Sequence, residues 1–141
     1  MAEANNNLLR IRLVTPDRIL VAGTAGAVEL PTRCGYIEVL PGHAPLLSEL
    51  GEGEVKLHGG ETNGQRYFVA RGFVEVLPER VTILAETALL PQQIDAAEAQ
   101  QQLTEGEALW EKAGDEAEKF DAASDVIREA EAKLESAVSK I

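Results

Sequence analysis

Cysteine is almost missing from this chain, with Cys34 alone among 141 residues, so no internal disulfide can form and no thiolate cluster can hold a metal. A reducing compartment is the expected setting. Histidine is as scarce: His43 and His58 stand fifteen positions apart, which is not the spacing of a compact zinc site. Basic residues are short as well, 13 against 24 acidic ones for a formal net charge of −11. A chain so charged lacks the basic face that releases counterions from phosphates, which excludes nucleic acid as a partner and disfavours contact with anionic headgroups. Long apolar runs are absent too. The longest, Ile19 to Val28, holds ten residues and two glycines, where a membrane helix needs about 20 apolar residues, so no direct membrane insertion is expected. The stretch from Met1 to Asn7 has neither a basic residue nor an apolar region and does not read as a secretory signal.

What is present is the balance of a folded protein, 45% apolar and 26% charged, in a length that holds one ordinary domain and a small appendage. The composition changes at Pro91. Before it lie ten of the twelve glycines and nine of the eleven valines, with a net charge of −3; after it the net charge is −8.

In the first part apolar and polar residues alternate over short runs, the period-2 signal of half-buried strands. Leu9, Ile11 and Leu13 alternate with Arg10 and Arg12; Val55 and Leu57 with Glu54, Lys56 and His58; Val74 and Val76 flank Glu75; and Val81, Ile83 and Ala85 follow a Pro78-Glu79-Arg80 turn. Turn residues recur at Pro16-Asp17, Gly23 to Gly26, Pro41-Gly42, Gly51 to Gly53 and Gly59 to Gly64. Roughly eight to ten strands at that spacing bury their apolar faces only as two packed sheets. Residues 1–90 therefore read as an antiparallel β-sandwich domain, with its strands between 8 and 88.

Residues 91–141 read as an antiparallel two-helix hairpin, making the fold α+β. Ala, Glu, Gln and Lys dominate there, and all are good helix formers. Asp95 with Glu98, and Asp115 with Glu118, have the three-residue spacing of a cap and its partner. Ala113-Gly114-Asp115 supplies a stop and a new start. Phe120, Ala123, Ile127, Ala130, Leu134, Ala137 and Ile141 step by three or four along one stripe of the second helix. The first helix offers Ile94, Ala97, Leu103 and Trp110 at less regular spacing, with Gly106 costing about 1 kcal/mol relative to Ala. So alanine-rich a hairpin buries little area, and it is expected to need the sandwich or a partner to stay ordered.

Three runs carry a family resemblance. Leu40-Pro41-Gly42-His43-Ala44-Pro45-Leu46-Leu47 contains P-G-H-A-P-L, while Gly72-Phe73-Val74-Glu75-Val76 and Val81-Thr82-Ile83-Leu84-Ala85-Glu86-Thr87-Ala88 follow in order. Together they resemble the epsilon subunits of F-type ATP synthases. The resemblance is specific to about residue 95 and compositional beyond it. It implies a non-catalytic rotor adaptor with no cofactor, whose sandwich packs on the gamma subunit and rests on the c-ring at the cytoplasmic face of a bacterial plasma membrane. It further implies a hairpin that lies folded or extends toward the alpha and beta catalytic subunits, where it restrains ATP hydrolysis.

Departures from the family pattern qualify those expectations. The G-E-L-G loop appears here as Gly35-Tyr36-Ile37-Glu38, so the ring contact is expected around Arg33, Tyr36, Glu38 and His43 with its charge pairing changed. Some relatives bind ATP through I/L-D-x-x-R-A; here the run is Ile94-Asp95-Ala96-Ala97-Glu98-Ala99, leaving Asp95 in place but Glu98 where the arginine belongs. The basic residues of the second helix, Lys119, Arg128, Lys133 and Lys140, are outnumbered, and weak or absent inhibition is expected from Arg128 and Lys133.

Blander readings stand beside these. His43 has no orienting partner in sequence, so a turn or interface role outweighs a catalytic one. His58 reads as a solvated strand residue and Cys34 as a passive small side chain. Trp110 reads as packing against the sandwich or the second helix, or as a partner contact. Gly59-Gly60 and Gly64 lack the lysine and following helix of a phosphate loop and read as a hairpin turn. The alternative function for this architecture is a free carbohydrate- or peptide-binding sandwich with a helical oligomerisation tail; a hydrolase ranks last.

Overall fold

The computed structural model describes residues 7–139, with side chains through 137. The chain forms two compact units, with the boundary between Ala88 and Leu89.

The first unit holds eight strands: β1 (Leu9–Val14), β2 (Ile19–Ala25), β3 (Ala27–Thr32), β4 (Gly35–Val39), β5 (Leu46–Glu49), β6 (Gly53–His58), β7 (Arg66–Leu77) and β8 (Arg80–Leu89). Their hydrogen-bonded order is β2-β1-β8-β7-β6-β3-β4, with β5 paired to β7. The alternating runs lie where the pattern places them: Leu9, Ile11, Leu13, Val55, Leu57, Val74, Val76, Val81 and Ile83 are all buried in one core. Inward alternation is sufficient to fix each register, because a one-residue slip would turn every apolar side chain to water.

One pair departs from an antiparallel sandwich. β1 and β8 run parallel, with Ile11 beside Val81 and Leu13 beside Ile83. They are the first and last strands, joined by no tight turn, and the direction of such a pair is free of hairpin geometry. The Gly35-Tyr36-Ile37-Glu38 run is likewise not a loop but most of strand β4. The turn precedes it, where the Thr32 hydroxyl donates to the Gly35 carbonyl at 2.6 Å.

β7 changes partner midway. Arg66 to Val69 pair with β6 and Phe73 to Val76 with β5, and between them Arg71 takes φ 59° and Gly72 φ 131°. Any Cβ at Gly72 would overlap the Leu84 carbonyl oxygen, so glycine alone permits this approach of β7 to β8. Arg71 is held there by donating from Nε to Glu86 Oε2 at 2.7 Å.

The Gly-rich segment after β6 contains a short 3-10 turn, Gly60–Thr62, whose Thr62 hydroxyl donates to the Thr24 carbonyl on edge strand β2 at 2.8 Å. His58 is exposed, as its solvated reading has it, and its Nε2 lies 2.6 Å from Glu29 Oε2 on β3.

The second unit is an antiparallel pair, α1 (Ala96–Lys112) and α2 (Ala117–Ser139). Asp95 caps α1 as its sequence position predicts, accepting from the Glu98 N–H at 3.1 Å. Asp115 does not cap α2; the Glu116 carbonyl instead accepts from the Lys119 and Phe120 N–H groups, each at 3.1 Å. The seam of α1 is also not the expected one. Ala99, Gly106 and Ala113 are buried, while Ala97 and Trp110 are exposed. Across from them α2 buries Ala123, Ala130 and Ala137, so both helices present small residues seven apart. The large members of the α2 stripe, Phe120, Ile127 and Leu134, are only half-buried; Ile141 and Lys140 lie outside the described residues. Trp110 packs on Phe120 of α2 edge to face, with ring centroids 5.3 Å apart.

Candidate functional site

Sheet faces turned to water are normally polar along each strand; several large apolar residues break that rule on the first unit, Ile19, Tyr36 and Leu46 among them, and three of them group together. Leu47 on β5, Phe73 on β7 and Leu84 on β8 are 72%, 52% and 50% exposed. Phe73 is in phase with Glu75, and Leu84 with Thr82 and Glu86, whose neighbours Val74, Val76, Ile83 and Ala85 fill the core. Leu47 pairs with Glu75 and Glu49 with Phe73, which sets Leu47 and Phe73 diagonally on one face, within reach of large side chains. Leu84 pairs with Val14 of β1. Phe73, Leu84, Val14 and Pro16 then line a shallow groove of about 360 Å³. Leu47, Phe73, Leu84 and Val14 thus mark an apolar band across four strands.

The P-G-H-A-P-L segment leads into this band. Leu40 is 52% exposed, and the Gly42 N–H donates to the Pro78 carbonyl at 2.7 Å, fastening the loop to the β7–β8 turn. His43 closes the loop locally: its N–H donates to the Leu40 carbonyl at 3.1 Å and its Nδ1 lies 2.6 Å from the Ala44 carbonyl oxygen.

Of the residues singled out in sequence, Arg33, Tyr36 and Glu38 share the β3–β4 hairpin at one end of the strand order, and His43 lies in the loop that follows. Arg33 and Tyr36 are each tied to a residue outside this group. Arg33 approaches Glu49 at 4.0 Å. Tyr36 is 59% exposed, yet its hydroxyl accepts from the Glu54 N–H at 2.9 Å, so the ring lies over Gly53 with one end anchored. Sequence reasoning missed Leu47, Phe73 and Leu84. The available signal was the break in alternation itself, apolar side chains in the polar phase of otherwise regular strands.

Charge is managed more tightly elsewhere in the sandwich. Glu54 is almost fully buried and meets Arg66 Nε at 3.1 Å. Tyr67, on the core side, donates to Gln65 Oε1 at 3.1 Å, and burial raises its phenol above the usual value.

In the helical unit a small cleft of about 120 Å³ is lined by Asp95, Glu98, Gln102 and Lys133. Lys133 donates to Gln102 Oε1 at 3.4 Å and pairs with buried Glu129 at 3.0 Å. Arg128 is bonded to Asp125 one turn away. Asp95 is committed to its cap. Two carboxylates thus face one ammonium already shared with a third. Among the described residues no cluster of His, Cys, Asp or Glu could hold a metal ion, and no helix is long and apolar enough to cross a membrane.

Fold and surface define a two-part module, a β-sandwich with an exposed apolar band followed by a two-helix hairpin. Residues 8–91 match the family model described as ATP synthase, Delta/Epsilon chain, beta-sandwich domain. The chain is 44% identical over 106 residues to the ATP synthase epsilon chain of Koribacter versatilis, covering 74% of this chain and 72% of that one. It is 34% identical over 128 residues to the ATP synthase epsilon chain of Granulibacter bethesdensis, covering 90% and 95%. Among solved structures it resembles a chain of the Euglena gracilis mitochondrial ATP synthase, with a TM-score of 0.77 at 20% identity over 94% of this chain and 82% of that one. The chain belongs to the ATP synthase delta/epsilon family. Within it, the chain is of the epsilon kind, a non-catalytic subunit.

Proposed function

We propose that this epsilon chain, a central-stalk subunit of an F-type ATP synthase, couples rotation of the c-ring to the gamma subunit through its β-sandwich. The observation that carries this reading is the apolar band of Leu47, Phe73 and Leu84. Contiguous exposed apolar surface on a folded protein marks a protein contact, and we assign this band to gamma. The β3–β4 hairpin with Arg33, Tyr36 and Glu38, together with the His43 loop, is assigned to the polar loops of the c-ring. Through these partners the chain is held at the cytoplasmic face of a bacterial plasma membrane.

Residues 91–141 are the regulatory arm, with the alpha and beta subunits as its partners. Of the five basic residues of the arm, Arg128 and Lys133 are the ones assigned a regulatory role, and each is already engaged with a carboxylate of its own helix. Inhibition of hydrolysis is therefore weak. The cleft at Asp95 and Glu98 repels a triphosphate and does not take ATP.

Co-purification from cells making the whole complex tests the coupling role. Gamma and the c-ring are expected to follow the wild-type chain, and Leu47→Glu with Phe73→Glu is expected to lose gamma while keeping its circular dichroism spectrum. Retention of gamma by the double variant would remove the assignment. For the arm, a complex lacking residues 92–141 is expected to hydrolyse ATP at nearly the wild-type rate, and a strong increase would overturn weak inhibition.

A further inference from the structure

We propose that the outer face of β1 and β8, beyond the Val14 and Leu84 end of the apolar band, takes an extended, carboxylate-bearing segment of another protein chain. Arg10 and Arg12 alternate with the buried Leu9, Ile11 and Leu13, so both guanidinium groups leave the same face of β1. β8 runs beside it with Arg80 directly opposite Arg10 and Thr82 opposite Arg12. On the other flank β2 offers Thr24 and Ala22 at the same levels. All three arginines are exposed.

Like charges directly opposite on neighbouring strands destabilise a sheet, and this chain carries 24 acidic residues from which a neutralising neighbour could be drawn. None serves. Among the described residues no ion pair joins Arg10, Arg12 or Arg80 to a carboxylate. Glu61, the acidic residue next to β2, is bound to the Thr24 hydroxyl at 3.3 Å, and Glu79 meets Arg10 through its backbone carbonyl, which accepts from the Arg10 N–H at 2.9 Å. A like-charged pair left unneutralised in a chain of net charge −11 is relieved by an anion from outside.

Spacing selects the kind of anion. Arg10 and Arg12 are two residues apart on a strand, about 6.8 Å, and Arg80 stands one strand away, about 4.8 Å. Carboxylates on alternate residues of an extended segment repeat at the same interval, and each can take an arginine fork in two parallel hydrogen bonds. An anionic bilayer is the poorer occupant, because the rest of this chain is repelled by it. The surface continues the apolar band along the same face, since Arg12 and Thr82 are followed in phase by Val14 and Leu84, and its test needs no gamma subunit.

The full chain, labelled with nitrogen-15 and carrying Glu3→Gln so that no carboxylate precedes β1 in sequence, is titrated with the peptide Glu-Thr-Glu-Thr-Glu-Thr. Amide shifts are expected at residues 10–12, 22–24 and 80–82, weakening with salt, and none with the glutamine version of the peptide. Arg10→Gln, Arg12→Gln and Arg80→Gln together are expected to weaken binding about tenfold or more, the sum of three exposed ion pairs, with the remaining spectrum unchanged. Equal binding by that variant, shifts centred elsewhere, or shifts of these amides by phosphatidylserine vesicles and not by the peptide would each overturn the proposal. A second test uses stability alone: Arg80→Glu is expected to raise the urea midpoint by turning the like-charged pair into an ion pair, and an unchanged or lower midpoint contradicts it.

Discussion

Gly106 of α1 lies so close under Ile127 of α2 that a Cβ at Gly106 would stand 2.9 Å from Ile127 Cγ1 and 3.0 Å from Val126 Cγ1. The glycine that weakens α1 by its propensity is the one that lets the helices approach. Gly106→Leu is therefore expected to destabilise the hairpin by about 1–3 kcal/mol through overpacking, although leucine is the better helix former. Urea unfolding followed by helical circular dichroism would show it, and a stabilised variant would mean that the seam is loose.

Gly72 poses a harder constraint, because the atom its Cβ would overlap is backbone, the carbonyl oxygen of Leu84. Gly72→Ala is expected to cost roughly 3 kcal/mol or more, from backbone displacement and a positive φ together. Gly64→Ala has nothing within 4 Å of its new Cβ and is expected to cost about 1 kcal/mol, for its φ alone. Comparing the two thermal midpoints separates crowding from conformation.

Arg66→Met strands the carboxylate of Glu54, whose side chain is 8% exposed. The expected loss is about 2–3 kcal/mol, below that of a fully buried pair because Arg66 keeps 29% exposure and some solvent screening. Adding Glu54→Leu is expected to restore most of it, since no buried charge remains. A double variant no more stable than Arg66→Met would show that the two residues act independently.

Tyr67 links stability to alkaline pH. Its folded pKa is raised by burial, so the folded state holds the phenol proton more tightly than the unfolded one. The contribution is complete below the unfolded value of about 10 and is lost as pH rises through the folded pKa. Between pH 8 and pH 11 the wild-type chain is expected to lose more stability than Tyr67→Phe, as read from urea midpoints. Parallel curves would exclude the linkage.

The sandwich was legible because alternation is a direct image of burial: each run centred on Leu9, Val55, Val74 or Val81 became a strand with the expected face inward. The parallel β1–β8 pair was not, since strand order arises from contacts far apart in sequence. Helices were legible from composition, but their seam was not. Large apolar residues attract attention in a periodic pattern, whereas here the buried positions are Ala99, Gly106 and Ala113, which look like filler. At the surface, the charged and aromatic candidates Arg33, Tyr36, Glu38 and His43 drew notice by chemistry, while Leu47, Phe73 and Leu84 were hidden among other apolar letters. Exposure, not residue type, distinguishes them.

The midpoint change of partner along β7 carries a mechanical implication. A pull applied where β5 lies against its second half reaches β6 through one uninterrupted length of covalent chain. Peptide bonds stretch far less than packed side chains slide, so the two ends of the strand share a load almost without delay or loss. One strand thus joins, without a chain break, what two separate hairpins would have left to side-chain contact alone.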